Sequence, residues 1–294
     1  MDRKDFLRMM GILTGASVMQ PLSILSRAAD LHGVTDRMPV IFFGHGSPMN
    51  AIEKNEFSET WKDLGRKIEK PTAILCISAH WETAGTYVTA MDQPRTIHDF
   101  GGFPKELYAI KYPAPGNPTL AEKIKSGIQS TNIGLDMSWG LDHGCWSVIK
   151  HLYPEADVPV LQMSIDYTKG PEYHFALAKE LASLRRKGVM IVGSGNIVHN
   201  LSMVAWDKMD ISGYAYDWAT EANNKMKSSI LSGDYKPLLE YNKQGQAFRL
   251  AIPTPEHFIP LLYILALKES DENPFLFNDV AMMGSLTMTS VLIK

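Results

Sequence analysis

The chain has 294 residues, 45% hydrophobic and 21% charged, with a formal net charge of −3. That composition suits a globular protein with a sizeable core and leaves no basic footprint for nucleic acid. Two cysteines, Cys76 and Cys145, make neither a disulfide framework nor a zinc-ribbon spacing, although a single bridge between them stays open.

Residues 1–30 differ in kind from the rest. A charged start is followed by an apolar stretch, Met9 to Met19, and a small-residue segment, Ser26 to Ala29. This is the layout of an export signal. "DRKDFLR" resembles a twin-arginine signal with Arg3-Lys4 in place of the arginine pair. The expectation is a periplasmic protein if the signal works. The alternative is a cytoplasmic protein with an amphipathic N-terminal helix. The apolar stretch is too short for a permanent span, and no other segment is long enough, so no stable membrane insertion is expected.

The run at 39–43 reads as a buried strand that ends abruptly in "GHGSP", with His45 in a glycine turn. "NEFSETWKDLGRKIEK" reads as a helix. The run at 72–79 is a second strand and delivers His80 in "SAHW". "TYVTAM" at 86–91 reads as a strand pairing with it as a hairpin. Residues 92–118 form a long loop rich in Pro, Gly and aromatics, the kind that serves as a lid or pocket wall. "NPTLAEKIKSGIQS" places Pro118 in a first helical turn. "LDHGCW" is a glycine-bounded turn carrying His143. A strand at 158–165 precedes "PEYHFALAKELASLRRKG", a helix with a basic last turn closed by Gly188. The strand at 189–195 leads into "GNIVHN" and His199. "AYDWATEANNKMKSSILSG" is a further helix. Pro255 in "TPEHF" sets a turn bearing Glu256 and His257 ahead of a buried helix, and 285–293 is a last strand at the sheet edge. Strands alternating with helices imply an α/β fold: one layered domain over 38–294 with a largely parallel central sheet flanked by helices.

In open α/β sheets ligands gather at the carboxyl ends of strands, where His45, His80 and His199 fall. Neutral imidazole is the commonest metal-binding side chain, so several at strand-end turns can converge without a local motif. A lone histidine is more often surface or core. His174 is read as structural, His151 as helical and exposed, His32 as part of the N-terminal segment, and His98 as a pocket-lining candidate. Other chemistries fit less well. "GSGNIVHN" lacks a phosphate loop's lysine, and "GHGSP" is not a nucleophile elbow, which leaves Ser47 as a turn residue.

"FGHGSPMNA", "ISAHW", "TIHDFGGFP", "LDHGCW", "GSGNIVHN" and "TPEHF", in that order, resemble the class III extradiol ring-cleavage dioxygenases. Within these the match is to the LigB-like superfamily and its 4,5-DOPA dioxygenase branch, from about Met38 to Lys294. The resemblance implies one α/β domain with one mononuclear non-haem metal, opening a catechol such as L-DOPA with dioxygen. It implies His45, His80 and His257 as metal ligands. His199 would be the acid–base histidine, and a fourth ligand when zinc is bound. His143 would face substrate or dioxygen. Relatives that cleave protocatechuate use two histidines and a carboxylate, so Glu256 is the alternative third ligand; His257 is favoured because this branch carries histidine there. Fe(II) is the expected working metal because zinc has no redox chemistry, although zinc is commonly described for the branch. Phe43, Trp81, Phe100, Phe103 and Trp146 are candidate pocket walls. Arg95 and Lys105 are candidate partners for a substrate carboxylate. Two other readings stay open: a zinc-dependent hydrolase using the same histidines to activate water, and a non-catalytic metal-binding protein.

Overall fold

The computed structural model describes residues 37–209 and 211–294; the export-signal reading of residues 1–30, and His32, lie outside them. The strands are β1 (Val40–Gly44), β2 (Ala73–Thr83), β3 (Thr86–Thr89), β4 (Ile133–Asp136) and β5 (Val160–Asp166). They continue with β6 (Val189–Gly195), β7 (Pro274–Phe277), β8 (Ala281–Met282), β9 (Leu286–Thr287) and β10 (Ser290–Ile293). Eight of them make one sheet in the order β4-β3-β5-β2-β6-β1-β10-β7, and β8 pairs with β9 separately. Its middle, β5-β2-β6-β1, is parallel.

Side chains alternate across a strand, so each strand feeds two apolar layers. Val40 and Phe42 enter one, Ile41 and Phe43 the other. Both faces are covered, which is why the central strands read as unbroken apolar runs. Among the described residues, the helices of eight or more residues are α1 (Glu56–Lys67), α2 (Pro118–Gly127), α3 (His143–Leu152), α4 (Pro171–Glu180), α5 (Asp217–Ser232) and α6 (Ile259–Ala266). α1 and α3 cover the Ile41 face, and α2, α4, α5 and α6 the Val40 face. Local chemistry sets their ends. Asn55 accepts from the Phe57 and Ser58 amides at the start of α1. Asn117 accepts from Leu120 N ahead of Pro118 in α2. Gly233, at φ 76°, closes α5.

The structure departs from the sequence reading in several places. β3 does not form a hairpin with β2. Both edges of β2 are taken by parallel partners, β5 and β6, and β3 pairs with β5 and β4 instead. The expected last strand is two strands, and β10 lies inside the sheet between β1 and β7, which is the edge. "LDHGCW" is not a free turn: Asp142 caps α3, accepting from Cys145 N, and His143 is the first helical residue. His151 is buried rather than exposed, because α1 and the turn at Pro48–Ala51 pack over α3. Its Nε2 donates to Asn50 O at 2.7 Å. The two cysteines are buried and free, so the open possibility of a bridge is not realised, and both pack in the core on the Ile41 face.

Candidate metal centre

His45 follows the last residue of β1. Its backbone amide donates to Gly195 O at 3.0 Å, which extends the β1·β6 ladder by one rung and fixes the residue. Gly46, at φ 62°, then turns the chain, and Ser47 caps the short helix Pro48–Ala51 by accepting from Met49 N. His80 lies inside β2 rather than beyond it, where pairing with β5 shifts register between Ile77 and Glu82. Such an irregularity re-aims side chains. His257 occupies the turn before α6, and its carbonyl accepts from Asn196 N at 3.0 Å, just past β6.

These three imidazoles converge, with one ligand atom from each lying within 4.8 Å of the others. Each is oriented from behind. His45 Nδ1 meets Ser194 Oγ at 2.9 Å, and that hydroxyl gives its own proton to Gly144 O at 2.5 Å. Ser194 therefore accepts from His45, leaving the His45 Nε2 lone pair facing inward. His80 Nδ1 faces Asp99 Oδ2 at 3.4 Å. His257 Nδ1 donates to Glu256 Oε1 at 3.1 Å, which also accepts from Thr254 Oγ1 at 2.9 Å. An acceptor at Nδ1 selects the tautomer whose Nε2 can ligate a metal.

The spacing fits a metal ion. His45 Nε2 and His80 Nε2 are 3.2 Å apart. Metal–imidazole bonds of about 2.0–2.1 Å meeting at cis or tetrahedral angles separate two nitrogens by roughly 2.9–3.4 Å. Two inward lone pairs at that distance repel unless a cation lies between them. Electrostatics agree. Burial, followed by the crowding of neighbouring imidazoles, holds His45 and His80 well below the usual histidine range. Burial also lowers His257, against the pull of Glu256. The three rings are thus kept in the deprotonated form a metal would require. Burial raises Glu256, but the hydrogen bond and charge of His257, a backbone amide and the Thr254 hydroxyl together outweigh that and bring the carboxyl down to about 2.

His199 stacks face to face on His257, with ring centroids 3.6 Å apart and planes 7° from parallel. Burial and His257 bring it down to about 3. Neither of its ring nitrogens hydrogen-bonds another protein group among the described residues. His143 packs against His80, with ring centroids 3.9 Å apart. Its Nδ1 donates to Asp99 Oδ2 at 2.9 Å and its backbone amide to Asp99 Oδ1 at 2.8 Å. Burial raises Asp99, yet the bonds from His143 outweigh it and hold the carboxyl below its ordinary range.

All five histidines singled out from the sequence thus lie in one cluster. The other candidates divide. His98 donates from Nε2 to Ile110 O at 3.0 Å and sits among Phe100, Tyr108 and Trp146, so it fastens the long loop to itself. His174 is buried against Tyr263 in α4, as its structural reading requires. Phe100 stands edge-on to His143 at 5.5 Å, with Phe103 beside it. Phe43 is core, wedged between Trp61 and Phe277. Trp146 is buried and donates from Nε1 to Ile97 O. Trp81 stacks on Trp139. Arg95 donates to Trp139 O at 3.0 Å, and Lys105 is exposed on the long loop. Two polar groups of the site, Asp99 in "TIHDFGGFP" and Ser194 in "GSGNIVHN", carry no spacing signal of their own in the sequence beside the more conspicuous histidine and glycines.

Comparison with known proteins gives the arrangement its family. The family model described as the catalytic LigB subunit of aromatic ring-opening dioxygenase matches residues 39–289. A 4,5-DOPA dioxygenase extradiol of Escherichia coli (strain K12) is 44% identical over 261 residues, covering 87% of this chain and 95% of that protein. A 4,5-DOPA dioxygenase extradiol of Beta vulgaris is 39% identical over 241 residues, covering 78% of this chain and 87% of that protein. The crystal structure of protein JW3007 from Escherichia coli K12 superposes with a TM-score of 0.76 at 40% identity, covering 88% of this chain and 100% of that one. The chain therefore belongs to the LigB family of aromatic ring-opening dioxygenases, in its extradiol branch.

Proposed function

We propose that this extradiol dioxygenase opens a catechol such as L-DOPA by 4,5-cleavage, at one divalent metal held by His45, His80 and His257. The observation that carries the ligand set is the convergence of three imidazoles whose Nδ1 atoms all face oxygen acceptors. A bound redox-active metal, for which Fe(II) is the candidate, would activate the catechol oxygens and dioxygen together, chemistry that zinc lacks. Three protein ligands leave positions for both partners, whereas a closed four-ligand site would not.

The chain's own groups then have distinct tasks. Glu256 and Ser194 hold the ligand rings in place. Glu256 is left out of the ligand set because it lies behind His257, accepting from that ring's Nδ1, while His45, His80 and His257 are the three that converge. His199, with no protein partner at its ring nitrogens, takes the proton of the second catechol hydroxyl and returns it as the ring opens. His143 faces substrate or dioxygen, and Phe100 beside it excludes water.

The test is to load the purified chain anaerobically with Fe(II), and separately with zinc, then add L-DOPA and simple catechols with dioxygen. Oxygen uptake and a yellow semialdehyde with iron only, lost in His199→Ala, are expected. Ester or amide hydrolysis with zinc, and no oxygen uptake with any catechol, would favour the hydrolase reading instead.

We further propose that residues 1–30 direct export to the periplasm. Support comes from their charged, apolar and small-residue layout. Cell fractionation with N-terminal sequencing is expected to find a shortened chain in the periplasm. A full-length chain confined to the cytoplasm would contradict this.

A further inference from the structure

We propose that Asp99 is a positioning residue that sets the tautomers of two rings at once, the metal ligand His80 and the substrate-facing His143. The inference rests on the reading of His80 as a ligand.

Asp99 belongs to the long loop between β3 and α2, far in sequence from α3. The residue is exposed along its backbone, but its side chain, 18% exposed, reaches in between β2 and the start of α3. One carboxylate oxygen, Oδ2, lies 2.9 Å from His143 Nδ1 and 3.4 Å from His80 Nδ1. The other, Oδ1, accepts the His143 backbone amide at 2.8 Å. That amide is one of the unpaired donors at the beginning of a helix, so the carboxylate also anchors the loop there.

The consequence lies in the proton positions. A carboxylate only accepts, so His143 donates its Nδ1–H to it, and the longer 3.4 Å contact draws the Nδ1–H of His80 to the same oxygen electrostatically. For His80 this leaves Nε2 bare, and Nε2 is the atom that faces His45 Nε2 at 3.2 Å. For His143 it leaves Nε2 as an acceptor. His143 would then receive a hydrogen bond from a substrate hydroxyl rather than donate one to an oxyanion. Phe100, the next residue in the loop, packs edge-on against the same ring at 5.5 Å and resists its flipping. One loop residue thereby ties metal affinity to the hydrogen-bonding polarity of the substrate side.

The experiment uses the full chain loaded with zinc, which is diamagnetic. Long-range 15N NMR of the histidine rings is expected to show His143 protonated at Nδ1 and bare at Nε2 in the wild type, and to lose that preference in Asp99→Asn. Competition with a chromophoric chelator is expected to show zinc held about 10- to 100-fold more weakly by Asp99→Asn, the usual effect of removing a carboxylate behind a histidine ligand. His80→Ala is expected to lose far more. Wild-type zinc affinity and unchanged tautomers in Asp99→Asn would overturn the inference while leaving the ligand reading intact. Wild-type affinity in His80→Ala would overturn the ligand reading, and this inference with it. If Asp99→Asn does not fold, the wild-type spectrum decides alone: His143 protonated at Nε2 would refute the assignment.

Discussion

A histidine becomes a metal ligand through what lies behind it. His45 has a hydroxyl there, His257 a carboxylate, and both are fixed by further bonds, Ser194 to Gly144 O and Glu256 from Thr254. Removing a ligand and removing its support should therefore differ in kind. His257→Ala is expected to abolish tight one-to-one metal binding in a calorimetric titration. Ser194→Ala keeps all three proposed ligands but frees the His45 tautomer and removes the side-chain donor to Gly144 O. It is expected to weaken metal affinity about 10- to 100-fold while stoichiometry stays at one. A Ser194→Ala protein that loads metal as tightly as the wild type would show that Ser194 does not orient the ligand.

At the scale of elements, the sheet places the cluster and α3 closes it. Gly144, the second residue of α3, shows how tightly: a Cβ there would lie 2.6 Å from Ser78 Oγ and 2.8 Å from His80 Cδ2. Gly144→Ala improves intrinsic helix propensity by about 1 kcal/mol. It is nonetheless expected to lower stability by about 1–3 kcal/mol through overpacking, read as a lower urea midpoint. A raised midpoint would mean that the helix shifts freely. The same glycine explains what the sequence concealed. "HGCW" reads as a turn because glycine is a poor helix former, whereas here it admits the neighbouring strand. The central strands were legible because burial on both faces makes them continuous apolar runs, and the histidines stood out because those runs stop at them. The partners of the histidines were not legible. Ser194 is 149 residues from His45 and Asp99 is 44 from His143, so only the fold brings them together. The position of β10 was equally hidden, since an alternating strand says nothing of which neighbours it pairs with.

Over the whole molecule, a buried ion pair joins elements remote from the site. Arg185, fully buried, pairs with Glu272 and donates to Met38 O and Leu267 O, tying the entry to β1 to the segment after α6. Arg37 Nε reaches the same carboxylate at 3.0 Å. Burial raises Glu272, but the bond from Arg185, the Glu269 amide and the charges of Arg185 and Arg37 together outweigh it and hold the carboxyl below its ordinary range. A depressed folded-state pKa contributes stability above the unfolded value of about 4.3, and loses it as the pH falls through the folded value. Arg185→Met removes the buried partner and leaves Glu272 only the Arg37 Nε contact and the Glu269 amide, and it is expected to destabilise by up to about 3–5 kcal/mol at neutral pH. Urea unfolding at a series of pH values should show that deficit narrowing as the pH falls through the carboxylate range, about 5 to 3, and Glu272 protonates. A deficit constant from pH 7 to pH 3 would assign the loss to packing alone.

The central claim is that three imidazoles, and no carboxylate, hold the metal. Anomalous diffraction from crystals loaded anaerobically with Fe(II) tests it most directly. A single peak about 2.0–2.2 Å from the Nε2 atoms of His45, His80 and His257 is predicted, with Glu256 still bonded to His257 Nδ1. A peak bound by the Glu256 carboxylate, or one seated among His80, Asp99 and His143, would contradict the account.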